Sequence, residues 1–162
     1  MYKHIANSYN QLHAAEQERK LSVLLARADL SEYESLIDVG AGTAHLAKHF
    51  KHLRYVALDP EQALLAQAPK HVTTVVARGE EIPYPNNSFD CALSLTALHN
   101  YQDPLRGVAE LVRITKHLVL VGVLKKSSLH DEIVSELNNL LDVEHTIHDQ
   151  HDTLIVARVR NS

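Results

Sequence analysis

The chain has 162 residues, of which 45% are hydrophobic, and a formal net charge of −4. This length suits one domain with a core that needs no disulfide staples, and the single cysteine, Cys91, has no intrachain partner. The charge balance argues against autonomous binding to nucleic acid or membranes. No apolar stretch reaches the ~18 residues of a membrane span, and the N-terminus lacks a signal-peptide core. We therefore predict a cytoplasmic protein with one domain over residues 1–162.

The N-terminal third of the sequence predicts one or two helices ahead of the core, followed by a strand, a turn and a further helix. Residues 1–30 place apolar side chains among charges, which predicts one or two amphipathic helices ahead of a core at 35–160. The apolar segment 35–39 (SLIDV) is followed directly by Gly-Ala-Gly, which predicts a buried strand that ends in a tight turn. A helix is predicted over 43–53, because apolar side chains then recur at helical spacing at Leu46, Phe50 and Leu53.

Strands and helices alternate through the rest of the chain. Further strands are predicted at 54–59, 71–77, 89–98 and 118–124, and helices at 61–68, from Pro104 to about 112 and at 129–141. This order favours a mostly parallel sheet with helices on both faces. The last two apolar runs, 143–147 and 153–159, are too close in sequence for a crossover, so the final strand of the seven should run antiparallel.

The residues that follow the strands point to an adenosine ligand. In an open parallel sheet, ligands bind at the carboxyl ends of the strands. Gly40 and Gly42 follow the first strand and allow a sharp turn with close ligand approach. Asp59 ends the second strand, where a carboxylate can accept hydrogen bonds from a ribose diol.

Asp38 favours S-adenosylmethionine over a dinucleotide. The dinucleotide fingerprint needs a glycine where this chain has His45, and a carboxylate at Asp38 would repel a pyrophosphate. S-adenosylmethionine instead carries an ammonium and a sulfonium, which that carboxylate attracts. A nicotinamide-dependent reductase remains a remote alternative.

Four ordered motifs resemble one family. The segments LIDVGAGTAHLAKHF, YVALDP, GEEIPYPNNSFDCALSLTALHNYQDP and AELVRI are similar to the motif series of class I S-adenosylmethionine-dependent methyltransferases of type 11, which are related to the enzymes of ubiquinone and menaquinone biosynthesis. The resemblance implies a Rossmann-like α/β fold and methyl transfer from S-adenosylmethionine to an acceptor that the sequence does not specify. It also implies that the N-terminal helices cover the cofactor.

The resemblance assigns cofactor contacts residue by residue. It implies that Asp38 and the turn hold the methionine end, that Asp59 with Pro60 meets the ribose, and that residues 79–80 meet the adenine. Leu95 and Thr96 would lie near the methyl group. The full set of expected cofactor residues is Tyr9, Asp38, Gly40, Ala41, Gly42, Asp59, Pro60, Gly79, Glu80, Leu95 and Thr96.

Histidines raise two further hypotheses. His99 directly follows the fourth predicted strand and is our candidate catalytic base, with a structural loop histidine as the alternative. A metal site is also conceivable, because histidines recur on one predicted helical face at His45, His49 and His52. These flank the apolar row and are better explained as a solvated face, so we predict no metal.

Departures from the family pattern leave other readings open. Arg78 stands where the family often has an acidic residue for adenine, which leaves Glu80 or a backbone carbonyl for that contact. The segment 125–150 leaves little room for a substrate-covering insertion. The alternative function is therefore a cofactor-binding subunit that is inactive without a small activating protein, which could add a strand to the sheet. Nucleic acid also stays open as a partner, because of a modest basic cluster at Arg106, Arg113, Lys116, Lys125 and Lys126.

Overall fold

The fold is a seven-stranded sheet with helices on both faces, as the sequence predicts. A computed structural model describes residues 2–160, with the backbone alone for residues 2–9. The strands are β1 Ser35–Val39, β2 Arg54–Asp59, β3 Thr73–Val76, β4 Phe89–Leu95, β5 Thr115–Leu124, β6 Leu141–His148 and β7 Asp152–Val159. The α-helices are α1 Tyr2–Leu25, α2 Gln62–Leu65, α3 Pro104–Ile114 and α4 His130–Leu140. Two short 3₁₀ helices, His45–His49 and Leu98–Asn100, complete the elements of the described residues.

The sheet order is β3-β2-β1-β4-β5-β7-β6. The first five strands are mutually parallel, whereas β7 runs antiparallel to both β5 and β6. This confirms the expected antiparallel final strand. None of the described helices is long and apolar enough to cross a membrane.

Strand alternation divides the core between the two faces of the sheet. On β1, Leu36 belongs to the cluster that packs under α1, and Ile37 belongs to the cluster that packs against α3 and α4. Successive side chains of a strand point to opposite faces, so Asp38 lies on the α1 side. Tyr55 of β2 and Leu95 of β4 lie on that same side. The α1 face is therefore the one that can hold a ligand against Asp38.

Several predicted boundaries were wrong. The N-terminal region forms a single helix, within the expected one or two, but it ends at Leu25 rather than near residue 30. The helix predicted over 43–53 is a 3₁₀ helix at His45–His49, because Ala44 has a left-handed backbone (φ 58°) and the N–H groups of residues 47, 50 and 53 each bond the carbonyl three residues earlier. The apolar face was nevertheless right, since the predicted inward side chains are all buried, namely Leu46, Phe50 and Leu53.

Other elements are shorter or longer than predicted for similar local reasons. Strand β4 ends at Leu95, earlier than predicted, because Thr96 has a left-handed backbone with φ 56°. Helix α2 covers only Gln62–Leu65 before single turns lead to Pro69. Helix α3 begins at Pro104 as predicted, with the Asp103 carboxylate accepting a hydrogen bond from the Arg106 N–H.

Two ion pairs of different burial hold α1 against the β6–β7 turn. The Lys20 ammonium lies 3.0 Å from the Asp152 carboxylate, and their side chains are only 6% and 0% exposed. The Arg19 guanidinium pairs with Asp149, but the Arg19 side chain is 39% exposed. The Arg19 hydrogen bond lowers the pKa of Asp149 to about 2. Helix α1 is thus fixed over the carboxyl ends of the strands by contacts from the far end of the chain.

We predict that breaking the buried pair lowers the free energy of unfolding far more than breaking the partly exposed one. Asp152→Asn keeps the side-chain volume but leaves the Lys20 charge buried without a counter-charge, which should lower the free energy of unfolding by about 3 kcal/mol. Asp149→Asn, the matched control, should lower it by at most about 1 kcal/mol, because solvent screens that pair. Urea denaturation at pH 7 measures both, and equal losses would contradict this interpretation.

Candidate functional site: the carboxyl ends of the strands beneath α1

The turn after β1 is tied to the end of β2 through its backbone. The N–H groups of Gly40 and Ala41 both donate to the Leu58 carbonyl, at 2.8 and 3.1 Å. Gly40 has φ 83°, and a Cβ added there would lie 2.6 Å from the Ala97 Cβ. Only glycine satisfies both constraints. Gly42 also has a positive φ, of 58°, a backbone conformation that glycine adopts without steric strain.

Asp59 fastens the same turn with its carboxylate. One oxygen, Oδ2, accepts a hydrogen bond from the Gly42 N–H at 2.9 Å, and Oδ1 accepts one from the Glu61 N–H at 2.8 Å. The side chain is buried, whereas the neighbouring Pro60 is exposed. Each carboxylate oxygen can accept more than one hydrogen bond, so Asp59 can both hold the turn and receive a ribose hydroxyl.

Asp38 is buried on the α1 side of the sheet and is bonded by a tyrosine. Its Oδ2 accepts a hydrogen bond from the Tyr55 hydroxyl, which comes from the neighbouring strand β2. Burial raises the pKa of the Asp38 carboxyl to about 7, the Tyr55 hydrogen bond opposes this rise, and the charge of Asp59 adds to it. The other oxygen, Oδ1, stays available to a ligand.

A cavity of ≈ 590 Å³ opens between α1, the glycine turn and the segment after β2. This volume is within the usual range of ligand pockets. Its walls combine carboxylate, amide and imidazole groups with apolar side chains. The lining residues are Asn10, His13, Ala14, Gln17, Asp38, Gly40, Ala41, Gly42, Thr43, His45, Leu46, Leu64, Gln67, Pro69 and Leu95. Five of the predicted cofactor residues therefore lie together around one cavity, namely Asp38, Gly40, Ala41, Gly42 and Leu95.

The end of β4 separates two residues that the sequence analysis grouped. Leu95 lines the cavity, but Thr96 is turned towards a buried polar cluster. The Thr96 hydroxyl donates to the Asp152 carboxylate at 2.7 Å and accepts from the Lys20 ammonium at 3.0 Å. Thr96 thus belongs to the contact that holds α1 in place.

The expected adenine residues are covered by the protein itself. Gly79 and Glu80 are buried, and a Cβ added at Gly79 would overlap the Tyr101 hydroxyl oxygen. Burial alone would raise the pKa of the Glu80 carboxyl, but hydrogen bonds from Arg78 and from backbone N–H groups outweigh it and hold the pKa below its ordinary value. One Glu80 oxygen is already bonded by Arg78 at 2.7 Å and by the Gln102 N–H at 3.2 Å. Residues 79–80 therefore do not line the cavity described above.

Asp59, Pro60 and His99 also lie outside the cavity lining. His99 is on the 3₁₀ helix Leu98–Asn100, and burial lowers the pKa of its imidazole, with Asp152 raising it and Lys20 lowering it further. Its imidazole is therefore neutral near pH 7 and able to accept a proton. Tyr9 is on α1, but its side chain lies outside the described residues.

The histidine interpretation needs one correction. His45 was predicted on a solvated face, yet it is half-buried and lines the cavity; burial lowers the pKa of its imidazole. The 3₁₀ winding rather than an α-helical one accounts for this different direction. His49 contacts Glu18 of α1. Among the side chains that the structure describes, those of residues 10–160, no group of three or more His, Cys, Asp or Glu is arranged to hold a metal ion.

Sequence reasoning missed that Lys20 anchors a polar face of α1 to Asp152. Asn10, His13, Gln17 and Lys20 recur at intervals of three and four residues, which places them on one helical face. This spacing was a usable signal. Asp152, which pairs with Lys20, and Tyr55, which bonds Asp38, gave no signal in the sequence. Their contacts join residues that are far apart along the chain.

Comparisons with known proteins define the class and then the family. Residues 37–120 match a family model described as "Methyltransferase domain". The match covers more than half of the chain, and the chain belongs to this family of class I methyltransferases, whose cofactor is S-adenosylmethionine. The resemblance stated from the four motifs is thereby confirmed.

Individual relatives agree with this assignment. The demethylmenaquinone methyltransferase of Corynebacterium glutamicum is 37% identical over 95 residues, which make up 56% of this chain and 40% of that protein. The chain spans about half the length of the curated relatives that it matches.

Solved structures share the fold. A putative methyltransferase of Haloferax volcanii, solved in complex with the Trm112 methyltransferase activator, has a TM-score of 0.78 at 16% identity and covers 95% of this chain and 94% of its own. A SAM-dependent methyltransferase from Aquifex aeolicus has a TM-score of 0.70 at 18% identity, with 88% of each chain covered. The Rossmann-like methyltransferase fold is therefore confirmed.

We predict that cofactor affinity rises with pH up to about 7 and then levels off. The Asp38 carboxyl is half protonated at its pKa of about 7, and a cofactor ammonium beside it lowers that pKa, so binding at lower pH requires loss of a proton. At pH 6 about one-tenth of the carboxyl is ionised, so S-adenosylhomocysteine should bind up to about tenfold more weakly than at pH 7.5. Titration calorimetry in that range measures the effect.

Two variants assign this pH profile to Asp38. Asp38→Asn should flatten the profile above pH 6, since His13 and His45 at the cavity have pKa values below the ordinary histidine value. Tyr55→Phe removes the hydrogen bond that lowers the Asp38 pKa, so its profile should move to higher pH. A profile that survives Asp38→Asn unchanged would contradict the assignment.

Proposed function

We propose that the chain transfers the methyl group of S-adenosylmethionine to an acceptor that approaches through the cavity beneath α1. The observation that carries this proposal is the placement of Asp38, the glycine turn and Leu95 around one cavity. A buried carboxylate beside tight, glycine-shaped backbone suits a ligand that carries an ammonium and no phosphate. When bound, S-adenosylmethionine supplies a methyl group that its sulfonium has already activated.

The residues of the chain then need to position and desolvate the reactants. A methyl transfer of this kind depends mainly on proximity and alignment, so a dedicated base is optional. Helix α1 forms one wall of the cavity, and the Asp38 carboxylate holds the methionine end. We propose His99, which lies on the 3₁₀ helix that follows β4, as the base where an acceptor needs one; burial keeps its imidazole in the neutral form that can accept a proton.

The remaining assignments follow the resemblance and stay proposals. We propose that Asp59 and Pro60 meet the ribose, that Gly79 and Glu80 meet the adenine, and that Thr96 and Tyr9 complete the cofactor site. Because Tyr101 and Gln102 now pack against residues 79–80, an adenine contact there requires the 101–102 segment to shift.

The domain organisation and location are part of the same proposal. We propose that residues 1–162 act as one methyltransferase domain, with 1–30 as the cover and 35–160 as the core, in the cytoplasm. The single buried thiol of Cys91 suits a reducing compartment. The basic cluster does not favour nucleic acid, because Arg113 is engaged with Glu110 and with the carbonyls of Ile82 and Tyr84.

We predict that Asp59→Ala weakens S-adenosylmethionine binding at least tenfold. The change removes charge-assisted acceptors worth about 1.5–3 kcal/mol each and also frees the Gly42 N–H that shapes the turn. Titration calorimetry of the wild type and the variant with S-adenosylmethionine and S-adenosylhomocysteine measures this. Glu61→Ala is the matched control, since the Asp59 carboxylate contacts only the Glu61 backbone. No binding by a folded wild-type chain would refute the proposed function.

A second candidate function is a cofactor-binding subunit that needs an activating protein. The Haloferax volcanii methyltransferase was solved with its Trm112 activator, and we propose an equivalent small partner for this chain. The outer side of β3 supports this, because β3 ends the sheet and Val76 on it is 55% exposed. A partner strand could pair there and cover that side chain.

Co-expression distinguishes the two functions. With a Trm112-type protein, the second candidate predicts higher methyl transfer and improved solubility, and Val76→Lys should abolish that gain without changing cofactor affinity. Full turnover by the isolated chain, unaffected by the Trm112-type protein, would exclude the second candidate and favour the first.

A further inference from the structure

The ring of Tyr101 lies between two glycines. A Cβ added at Gly79 would overlap the hydroxyl end of the ring, and a Cβ added at Gly107 of α3 would overlap the ring edge at Cδ2 and Cε2. The hydroxyl oxygen lies 3.9 Å from the position that a Cβ would take at Gly40. The tip of the ring therefore stands between the turn after β1 and the segment 79–80 that follows β3.

This position is beside the two carboxylates proposed for the adenosine of the cofactor. Asp59 and Glu80 are both buried, and neither lines the cavity beneath α1. Burial raises the pKa of the Tyr101 hydroxyl, and the charges of Glu80 and Asp59 raise it further, so the hydroxyl lies within the field of both. The ring of Tyr101 thus helps to close the side of the proposed site that is assigned to the adenosine.

The Tyr101 hydroxyl makes this closed position costly. It is buried, and no group in the part of the chain that the structure describes lies in hydrogen-bonding geometry with it. A buried hydroxyl without a partner costs about 1–3 kcal/mol, and such groups are rare in native proteins. A permanent core position would be filled at lower cost by an apolar side chain of similar size. The unpartnered hydroxyl therefore favours a ring that can leave this position and reach water.

The next residue holds the segment closed through Glu80. The Gln102 N–H donates to Glu80 Oε2 at 3.2 Å, and the Arg78 guanidinium donates to the same oxygen at 2.7 Å and to Gln102 Oε1 at 3.1 Å. An oxygen that already accepts two hydrogen bonds has little capacity for a third. The closed 101–102 segment and a bound adenine would therefore compete for the same Glu80 oxygen.

We propose that Tyr101 is an autoinhibitory plug, a side chain that must leave the adenosine side of the site before S-adenosylmethionine binds. Displacement of the 101–102 segment exposes Gly79 and Glu80, whereas Asp38 already lines the open cavity. Because the cofactor then binds only the open form, the apparent affinity falls in proportion to the open fraction. This inference rests on the proposed function, since it concerns the same site.

Two variants that disfavour the closed position test the plug. Tyr101→Leu shortens the side chain and removes the hydroxyl, and Gly107→Ala places a methyl group where the ring edge now lies. Each should bind S-adenosylhomocysteine and methylthioadenosine about tenfold more tightly than the wild type, as expected if about one-tenth of the wild type is open. The affinity for L-methionine, which has no adenosine, should change less than about twofold. Titration calorimetry measures all three ligands.

Kinetics and controls separate a plug from a merely structural tyrosine. The gain should lie in the association rate measured by stopped flow, because the plug acts on the free protein. Tyr84→Leu is the matched control, since Tyr84 packs edge-on against Phe89 in the same apolar cluster, and it should leave the three affinities unchanged. The double variant Tyr101→Leu/Gly107→Ala should bind no more tightly than Tyr101→Leu, because the ring that the added methyl group displaces is already gone.

The outcomes are distinct. Folded Tyr101→Leu and Gly107→Ala proteins that bind S-adenosylhomocysteine no more tightly than the wild type would overturn the plug and leave the proposed function intact. An equal gain in L-methionine affinity would also overturn it. Absence of binding by the wild type and by both variants would overturn the proposed function itself. If Tyr101→Leu does not fold, Gly107→Ala decides alone, since alanine is more favourable than glycine inside a helix.

Discussion

The functional end of this molecule depends on the junction between the first two strands. The Leu58 carbonyl and the Asp59 carboxylate, both at the end of β2, bind three successive N–H groups of the glycine turn, those of Gly40, Ala41 and Gly42. Parallel pairing of β1 with β2 brings these groups together. Because the turn is held this way, its backbone can face a ligand without a supporting long helix. The 3₁₀ helix that follows is only five residues long, and the turn does not require more.

The cover over this junction is held by charge rather than by packing alone. The C-terminal part of α1 buries Leu21 and Leu24 in the core. On its polar face, Gln17 lines the cavity and Lys20 pairs with Asp152. A buried ion pair is costly to desolvate, and its role is often to specify one arrangement rather than to add stability. Here that arrangement places Gln17 against Leu95 and beside the cavity that Asp38 lines. The cavity beneath α1 is thus shaped by contacts between the N-terminal helix and the last strand.

The two ends of the proposed cofactor site differ in how open they are. Asp38 and the turn face an open cavity, whereas Gly79 lies against the Tyr101 ring and Glu80 bonds Arg78 and the Gln102 N–H. Among the described residues, no group lies in hydrogen-bonding geometry with the buried Tyr101 hydroxyl. Burial raises the pKa of that hydroxyl. A shift of the 101–102 segment would therefore break no hydrogen bond of that hydroxyl. The site is preformed at one end and closed at the other.

The sequence by itself determined the mostly parallel sheet, the antiparallel last strand and the predicted position of the cofactor site after the first strand. Each was encoded in a few adjacent residues: the alternation of strands and helices, the short 148–152 connection, and Asp38 directly before Gly40-Ala41-Gly42. Only the tertiary structure decided the winding of the 43–53 segment, the separation of Thr96 from Leu95, the cover over residues 79–80 and the partners Tyr55, Lys20 and Asp152. These features arise from contacts between residues distant along the chain, and periodicity carries no information about them because it reports only which face of an element is buried.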